Sequence, residues 1–357
     1  MTRNTIATID LQAVNWNFAR VRQLAPFSAI VCVVKADAYG HGFANVWRAL
    51  TEADVLAVAT TGEAQLCRGL GWRGRLLLLE GPANRAEFEQ LLGLDVEMVV
   101  HHETQLQMLR QRQHELRRPL WLKIDTGMHR LGFPAADAQE AYKQLSRLQG
   151  GSQIILMSHF ACADDPDNPM TLRQMQNFDA ATLDLPGPAS LANSAGILNY
   201  PDSRRDFVRP GIMLYGISPC RKKTPDDIGL RPAMSLYCDL IAINQAKAGE
   251  CVGYGAAYTC PRDMRIGVGA IGYGDGYPRH ARNGTPVLLQ GKRASLVGRV
   301  SMDMITIDLN GHPGAQVGDR LTLWGEGLPI EEVAPWADAI PYQLICGVTA
   351  RVRYEVN

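Results

Sequence analysis

For more than two hundred residues this chain alternates short apolar runs with amphipathic stretches, a rhythm that few folds accommodate. After Asp10, a residue type suited to cap a helix, apolar residues recur at Leu11, Val14, Phe18 and Val21, the spacing of one helix face. A run of six apolar residues, Ala29 to Val34, four of them β-branched, then reads as a buried strand. Helix-like segments at 44–50, 62–70, 85–92, 103–114, 135–148 and 171–183 alternate with strand-like runs at 55–59, 75–79, 97–100, 120–124 and 153–157. The unit of about 20 to 30 residues repeats at least six times. An α/β fold is expected, a parallel sheet with crossover helices, open or closed into a barrel.

The rhythm stops at 218–232, a polar stretch with three prolines that reads as a domain junction. Beyond it come short strand-like runs at 234–243, 265–271, 285–290, 304–309 and 320–324, separated by Gly, Pro and Asp turns. Residues 1–230 are therefore expected to form one domain and 231–357 a second, mainly β domain.

Thirty-six basic residues balance thirty-six acidic ones, which argues against nucleic acid as a partner. None of the eight cysteines forms a Cys-x-x-Cys pair, so structural zinc has little support and buried, reduced thiols are expected. The first ten residues lack the apolar core of an export signal. No run approaches the ~20 apolar residues of a membrane span, so a soluble, cytoplasmic protein is expected.

Barrel enzymes place their chemistry just past the C-terminal ends of the strands. Lys35 follows the first run there, where an ammonium at the lip of a buried strand costs desolvation energy unless it has a task, such as forming a Schiff base. Asp125-Thr-Gly-Met-His-Arg130, His159 and Arg209 close three other runs. Each alone has a bland explanation, as a core histidine or a surface ion pair; four on one rim point to a functional cluster. Two further motifs are set aside. Gly267-Val-Gly-Ala-Ile-Gly272 matches a dinucleotide fingerprint, but the turn sequence Tyr273-Gly-Asp-Gly-Tyr-Pro278 follows it where a helix is needed. His101-His-Glu103 reads better as the start of a helix, with an acid at its positive end, than as a metal site; no metal is expected.

These blocks resemble the bacterial alanine racemases, enzymes that use pyridoxal 5′-phosphate, and the resemblance runs the length of the chain. It is carried by Val33-Val-Lys-Ala-Asp-Ala-Tyr-Gly-His-Gly42, Lys123-Ile-Asp-Thr-Gly-Met-His-Arg-Leu-Gly132, Ser158-His-Phe160, Asn193-Ser194, Val208-Arg-Pro-Gly-Ile-Met-Leu-Tyr-Gly216, Val252-Gly-Tyr-Gly255, Gly272-Tyr-Gly-Asp-Gly-Tyr277 and Gly298-Arg-Val-Ser-Met-Asp303. The resemblance implies an N-terminal (β/α)8 barrel that binds the cofactor, a C-terminal β domain, and a homodimer with shared active sites. It implies interconversion of L- and D-alanine, to supply D-alanine for peptidoglycan or to catabolise it. A racemase of serine or of a broader range of amino acids is the alternative; a decarboxylase or a non-catalytic binding protein of the same cofactor class fits less well. By the same resemblance Lys35 holds the cofactor and is one catalytic base, and Tyr254 of the partner chain is the opposed base. Arg209 faces the pyridine nitrogen with His159 bracing it. Arg130, the backbone of Met302 and Tyr273 meet the substrate. Tyr39, Ser194, Gly211 and Ile212 cradle the phosphate, and Lys123 matches a lysine that is carbamylated in many members. One departure stands out: the position expected to carry a phosphate-binding tyrosine, just before Arg351-Val-Arg353, is Ala350, and Tyr354 does not take over its role.

The residue types suit the reaction. Two bases on opposite faces exchange the α-proton without turning the substrate, and positive charge from Arg130, Arg209 and His159 would favour their deprotonated forms. A carboxylate at the pyridine nitrogen accepts its N–H and keeps it protonated; an arginine has no acceptor, so the nitrogen stays unprotonated. The ring is then a weaker electron sink, which favours racemisation over transamination or decarboxylation.

Overall fold

The computed structural model describes residues 4–148 and 153–357; the first three residues of the N-terminal segment considered above lie outside that set. Strand β1 (Ile6–Ile9) comes first, followed by helix α1 (Leu11–Leu24). Asp10 caps α1 as expected, its Oδ1 accepting from the backbone N–H of Gln12 at 2.8 Å and Ala13 at 3.0 Å. Then come β2 (Ala29–Val33), β3 (Val55–Val58), β4 (Arg75–Leu78), β5 (Glu97–Val100), β6 (Leu120–Asp125), the two-residue β7 (Phe133–Pro134), β8 (Ile154–Met157), β9 (Ala189–Asn193) and β10 (Phe207–Arg209). Apart from β7, which adds to β6 outside the ring, β2 to β10 pair in parallel and close through β5–β6 and β10–β2 into an eight-stranded barrel.

Side chains of alternate strand positions fill the interior: Val31, Val33, Val55, Ala57, Leu77, Val99, Trp121, Ile155, Met157 and Phe207. The end where the strands begin is sealed by Glu97, 1% exposed, which accepts from Arg75 at 2.5 and 3.0 Å and from Trp121 Nε1 at 2.7 Å. With that end plugged, only the rim where the strands finish is open for chemistry.

The second sheet has eight strands and is organised on the 13-residue β11 (Met234–Ala246). The first strand departs from the expected division of the chain. β1 lies in this second sheet, antiparallel to β11 and parallel to the C-terminal strand Arg353–Val356. Both ends of the chain thus meet beside its middle. The stretch 218–232 contains no strand; its only helical turn is Asp226–Ile228. It is nonetheless pinned to the barrel, since Asn17 donates to Leu214 O and Arg231 O and accepts from the Arg231 N–H. Gly267 and Gly269 lie within the strand Met264–Gly269, and a short 3₁₀ turn, Tyr273–Asp275, follows instead of a helix. His102 caps helix Glu103–Gln111, accepting from the Thr104 N–H. All eight cysteines are unpaired; contrary to expectation, Cys251 and Cys346 are exposed. Among the described residues no helix is long and apolar enough to cross a membrane, and no cluster of three or more His, Cys, Asp or Glu could hold a metal.

Candidate active site

A cavity of about 610 Å3 opens on the rim where the barrel strands end. Lys35, Arg130, His159 and Arg209, the four strand-end residues singled out from the sequence, all line it, together with Tyr39, Lys123, Ser194, Gly211 and Ile212.

Lys35 is placed by an unusual turn. The chain leaves β2 and Ala36, Asp37, Ala38 and Tyr39 take φ of 52°, 51°, 55° and 54°, one turn of left-handed helix built from residues with side chains. Steric repulsion between Cβ and the following carbonyl disfavours this conformation, so neighbours must hold it. Glu63 accepts from the Ala36 N–H at 2.6 Å, and Asp37 accepts from the Phe43 N–H at 2.7 Å. The buried His41 ring bonds the Tyr39 carbonyl through Nδ1, which is therefore its protonated nitrogen, and stacks on Tyr215. Tyr354, on the last strand, donates to Gly40 O at 2.7 Å. It props the turn from below and stays out of the cavity.

The floor is electropositive. Arg209 is 3% exposed and donates to Ser190 Oγ and Ser158 O at 2.6 Å, Leu191 O at 3.1 Å and His159 Nδ1 at 3.2 Å. Burial lowers its pKa to about 9, so it keeps its proton at neutral pH. A guanidinium has no lone pair to offer, so His159 must accept through Nδ1 and carry its proton on Nε2. Burial first, then Arg209, Lys123, Arg130 and Lys35, push the His159 pKa well below its usual value. The ring is therefore neutral. It braces Arg209 as expected but adds no charge to the cluster, which corrects the expectation that counted it as a cation. On β6, burial together with Arg209, Arg130 and Lys35 lowers the Lys123 pKa to about 8. Arg130 is exposed, and its guanidinium has no hydrogen-bond or ion-pair partner among the described residues, leaving it open to an anion.

Ser194 and Gly211 form another part of the wall. Ser194 begins the helix Ser194–Asn199; its Oγ accepts from the Gly211 N–H at 2.9 Å, which leaves its own proton to donate into the cavity. Gly211 can only be glycine without rearrangement: a Cβ there would sit 2.4 Å from the Tyr39 hydroxyl. One residue was missed. Tyr342, at the start of the short helix Pro341–Cys346, lines the same wall with its ring 6.1 Å from that of Tyr39. It lies eight residues before Ala350, so the wall does have a second tyrosine, supplied from elsewhere in the C-terminal segment. Only an aromatic residue directly after Ile340-Pro341 marks it in the sequence.

Three expected residues lie elsewhere. Tyr254, Tyr273 and Met302 are 68%, 40% and 53% exposed on the C-terminal domain and do not line the Lys35 cavity. Tyr273 and Met302 do adjoin each other: the Tyr273 N–H donates to Ser301 O and the Gly274 N–H to Met302 O.

The alanine racemase N-terminal domain model matches residues 9–219, and the alanine racemase C-terminal domain model residues 233–356. The alanine racemase of Shewanella amazonensis is 48% identical over 353 residues, 97% of each chain. That of Halorhodospira halophila is 45% identical over 357 residues, 99% of this chain and 98% of its own. Among solved structures, the biosynthetic alanine racemase of Pseudomonas aeruginosa superposes with a TM-score of 0.96 at 44% identity, over the whole of both chains. The alanine racemase of Bartonella henselae, solved with covalently bound pyridoxal phosphate, superposes with a TM-score of 0.90 at 27% identity, over 99% of both chains. Two domain models that together span nearly the whole chain, and full-length relatives at this identity, place the protein in the alanine racemase family.

Proposed function

We propose that the chain interconverts L- and D-alanine with pyridoxal 5′-phosphate held at Lys35, using two bases, Lys35 and the Tyr254 of a second subunit. The cavity fits that cofactor. It has an amine, a part of the wall for a phosphate, where Ser194 offers a proton and a glycine makes room, and a buried guanidinium on its floor. When bound, the cofactor supplies an electron sink that makes the α-proton of the substrate acidic.

The observation that carries the reading is Arg209. The charged group buried at the cavity floor is an arginine satisfied by four acceptors, not a carboxylate. It can donate to the cofactor ring but cannot hand over a proton at neutral pH, so charge at the substrate α-carbon stays short-lived and is quenched by the nearest proton donor. Lys35 Nζ takes or returns the α-proton on one face. Tyr254 Oη of a second chain does so on the other, and Arg130 with the backbone of Met302 orients the carboxylate. Met302 supports this role, since its N–H has no acceptor among the described residues. The lowered Lys123 pKa leaves roughly a tenth of the amine neutral at pH 7, the form that can add CO2 and become a carbamate facing Arg130. The likeness to an enzyme described as biosynthetic favours a role in supplying D-alanine for peptidoglycan.

The test is a chiral assay of L-alanine with and without added cofactor, on the purified protein and on Lys35→Ala. Formation of D-alanine that depends on the cofactor, with the visible absorption of the lysine-bound cofactor lost in Lys35→Ala, is expected. Turnover of serine in preference to alanine would replace the substrate, and a protein that neither binds the cofactor nor racemises alanine would overturn the reading.

A further inference from the structure

His41 follows the left-handed turn that presents Lys35 and is wholly buried. Its Nδ1 holds the Tyr39 carbonyl, so Nε2 presents a lone pair. Burial lowers the pKa of the ring to about 4 and keeps it neutral. Trp324 ends the strand Arg320–Trp324 of the second sheet and is 1% exposed; its indole nitrogen can only donate. Neither His41 Nε2 nor Trp324 Nε1 has a hydrogen-bond partner among the described residues. A buried donor or acceptor left unbonded costs free energy, so such groups are bonded in folded proteins, to protein or to ordered water.

The two groups are complementary, and both residues line one cavity of about 10 Å3 between the barrel and the second sheet. That is about the room a single water needs. Ile217, Met234 and Ile345, also in its wall, offer no competing side-chain donor. Glu331, in the short helix Ile330–Val333, lines it too; its Oε1 accepts from the Ser218 N–H at 2.7 Å. A carboxylate has lone pairs to spare for a further donor. We propose that this cavity is a binding site for one structural water molecule. The water accepts from Trp324 Nε1–H, donates to His41 Nε2 and turns its second hydrogen to Glu331. Three partners are the usual complement of a buried water. It closes a chain of hydrogen bonds from the second sheet through His41 to Tyr39 O, inside the turn beside Lys35. It also fixes the imidazole tautomer that the Tyr39 bond requires. The site does not depend on which reaction the protein catalyses.

The test is a crystal structure of the full chain at a resolution that shows ordered solvent. Density for one water is expected about 2.7–3.2 Å from both His41 Nε2 and Trp324 Nε1. Trp324→Phe keeps an aromatic ring, removes the N–H, and is expected to lose that density. Three results in the parent would each overturn the inference: a cavity without density, the two nitrogens bonded directly to each other, or a His41 ring turned so that Nε2 meets a protein group. A water equally ordered in Trp324→Phe would overturn it as well. If Trp324→Phe does not fold, the density in the parent decides alone.

Discussion

On the floor of the Lys35 cavity and in the turn beside it, polar groups are buried and bonded to one another within the chain, with Arg130 an exposed exception; Tyr254, Tyr273 and Met302 are held out to solvent. Arg209 has four acceptors, and the Lys35 turn is braced from three separate parts of the sequence. The C-terminal face instead exposes two tyrosines and two methionines, Met304 among them, above a tightly bonded loop base. Under the proposed function a single chain therefore offers a cavity for the cofactor and, elsewhere, exposed groups that it does not itself bring to that cavity. Under the proposed mechanism the first region is complete alone, and the second only when it faces another molecule.

The sharpest way to break this comparison is to disable each region in a different chain. Lys35→Ala and Tyr254→Phe are each expected to lose about 10³-fold in turnover or more. If one site takes Lys35 from one chain and Tyr254 from its partner, mixing the two variants under exchanging conditions restores activity. Random pairing makes half of the dimers mixed, each with one intact site of two, or about a quarter of the parent rate. No recovery would show that both residues serve from the same chain or not at all.

A smaller effect probes the barrel region alone. Gly211→Ala drives a Cβ to 2.4 Å from the Tyr39 hydroxyl. Crowding of this kind typically costs about 1–3 kcal/mol, so cofactor affinity, read by titration of its absorption, should fall about tenfold or more. Binding of unchanged strength would remove Gly211 from the cradle.

The effect at Lys123 is on stability. Its folded pKa is lowered, so below pH 8 the protein bears the cost of a buried ammonium in full. As pH rises through 8 the folded state sheds the proton while the unfolded chain keeps it to about 10.4, and stability increases. Lys123→Met should therefore be more stable by about 3 kcal/mol at pH 7 without CO2, with the gap closing toward pH 10 in denaturant melts. With bicarbonate present, a carbamate paired to Arg130 would reverse the sign. Curves that are identical with and without bicarbonate would speak against the carbamate.

The same contrast explains what could be read in the sequence. Most barrel strands were legible because both of their faces are covered, so each prints as a continuous apolar run. The last two were hard to place: β9 contains Ser190 and Asn193, and β10 spans three residues ending in a buried arginine. The strand β1 was missed because its partners lie more than two hundred residues away, and no local period encodes a pairing. The four rim residues were legible from charge at strand ends. Tyr342 was not, since only tertiary packing brings it to Tyr39. The neutrality of His159 was equally hidden, because it depends on burial first and then on four cations that only the closed barrel brings together.

The left-handed turn after Lys35 has a consequence for how the molecule comes to life. Four residues there adopt the conformation that is native to their mirror images, at roughly 1–2 kcal/mol each, about 4–8 kcal/mol in all. That rivals the whole stability of an ordinary domain. No peptide of this sequence could hold the shape unaided. The lysine can be presented only once Glu63 and the final strand's Tyr354 are in place, so a chain interrupted anywhere before its last residues should display no reactive amine. Chemical synthesis with D-alanine at 36 and 38 would relieve the turn, and a chain relieved in this way should unfold at higher temperature with its cavity unchanged.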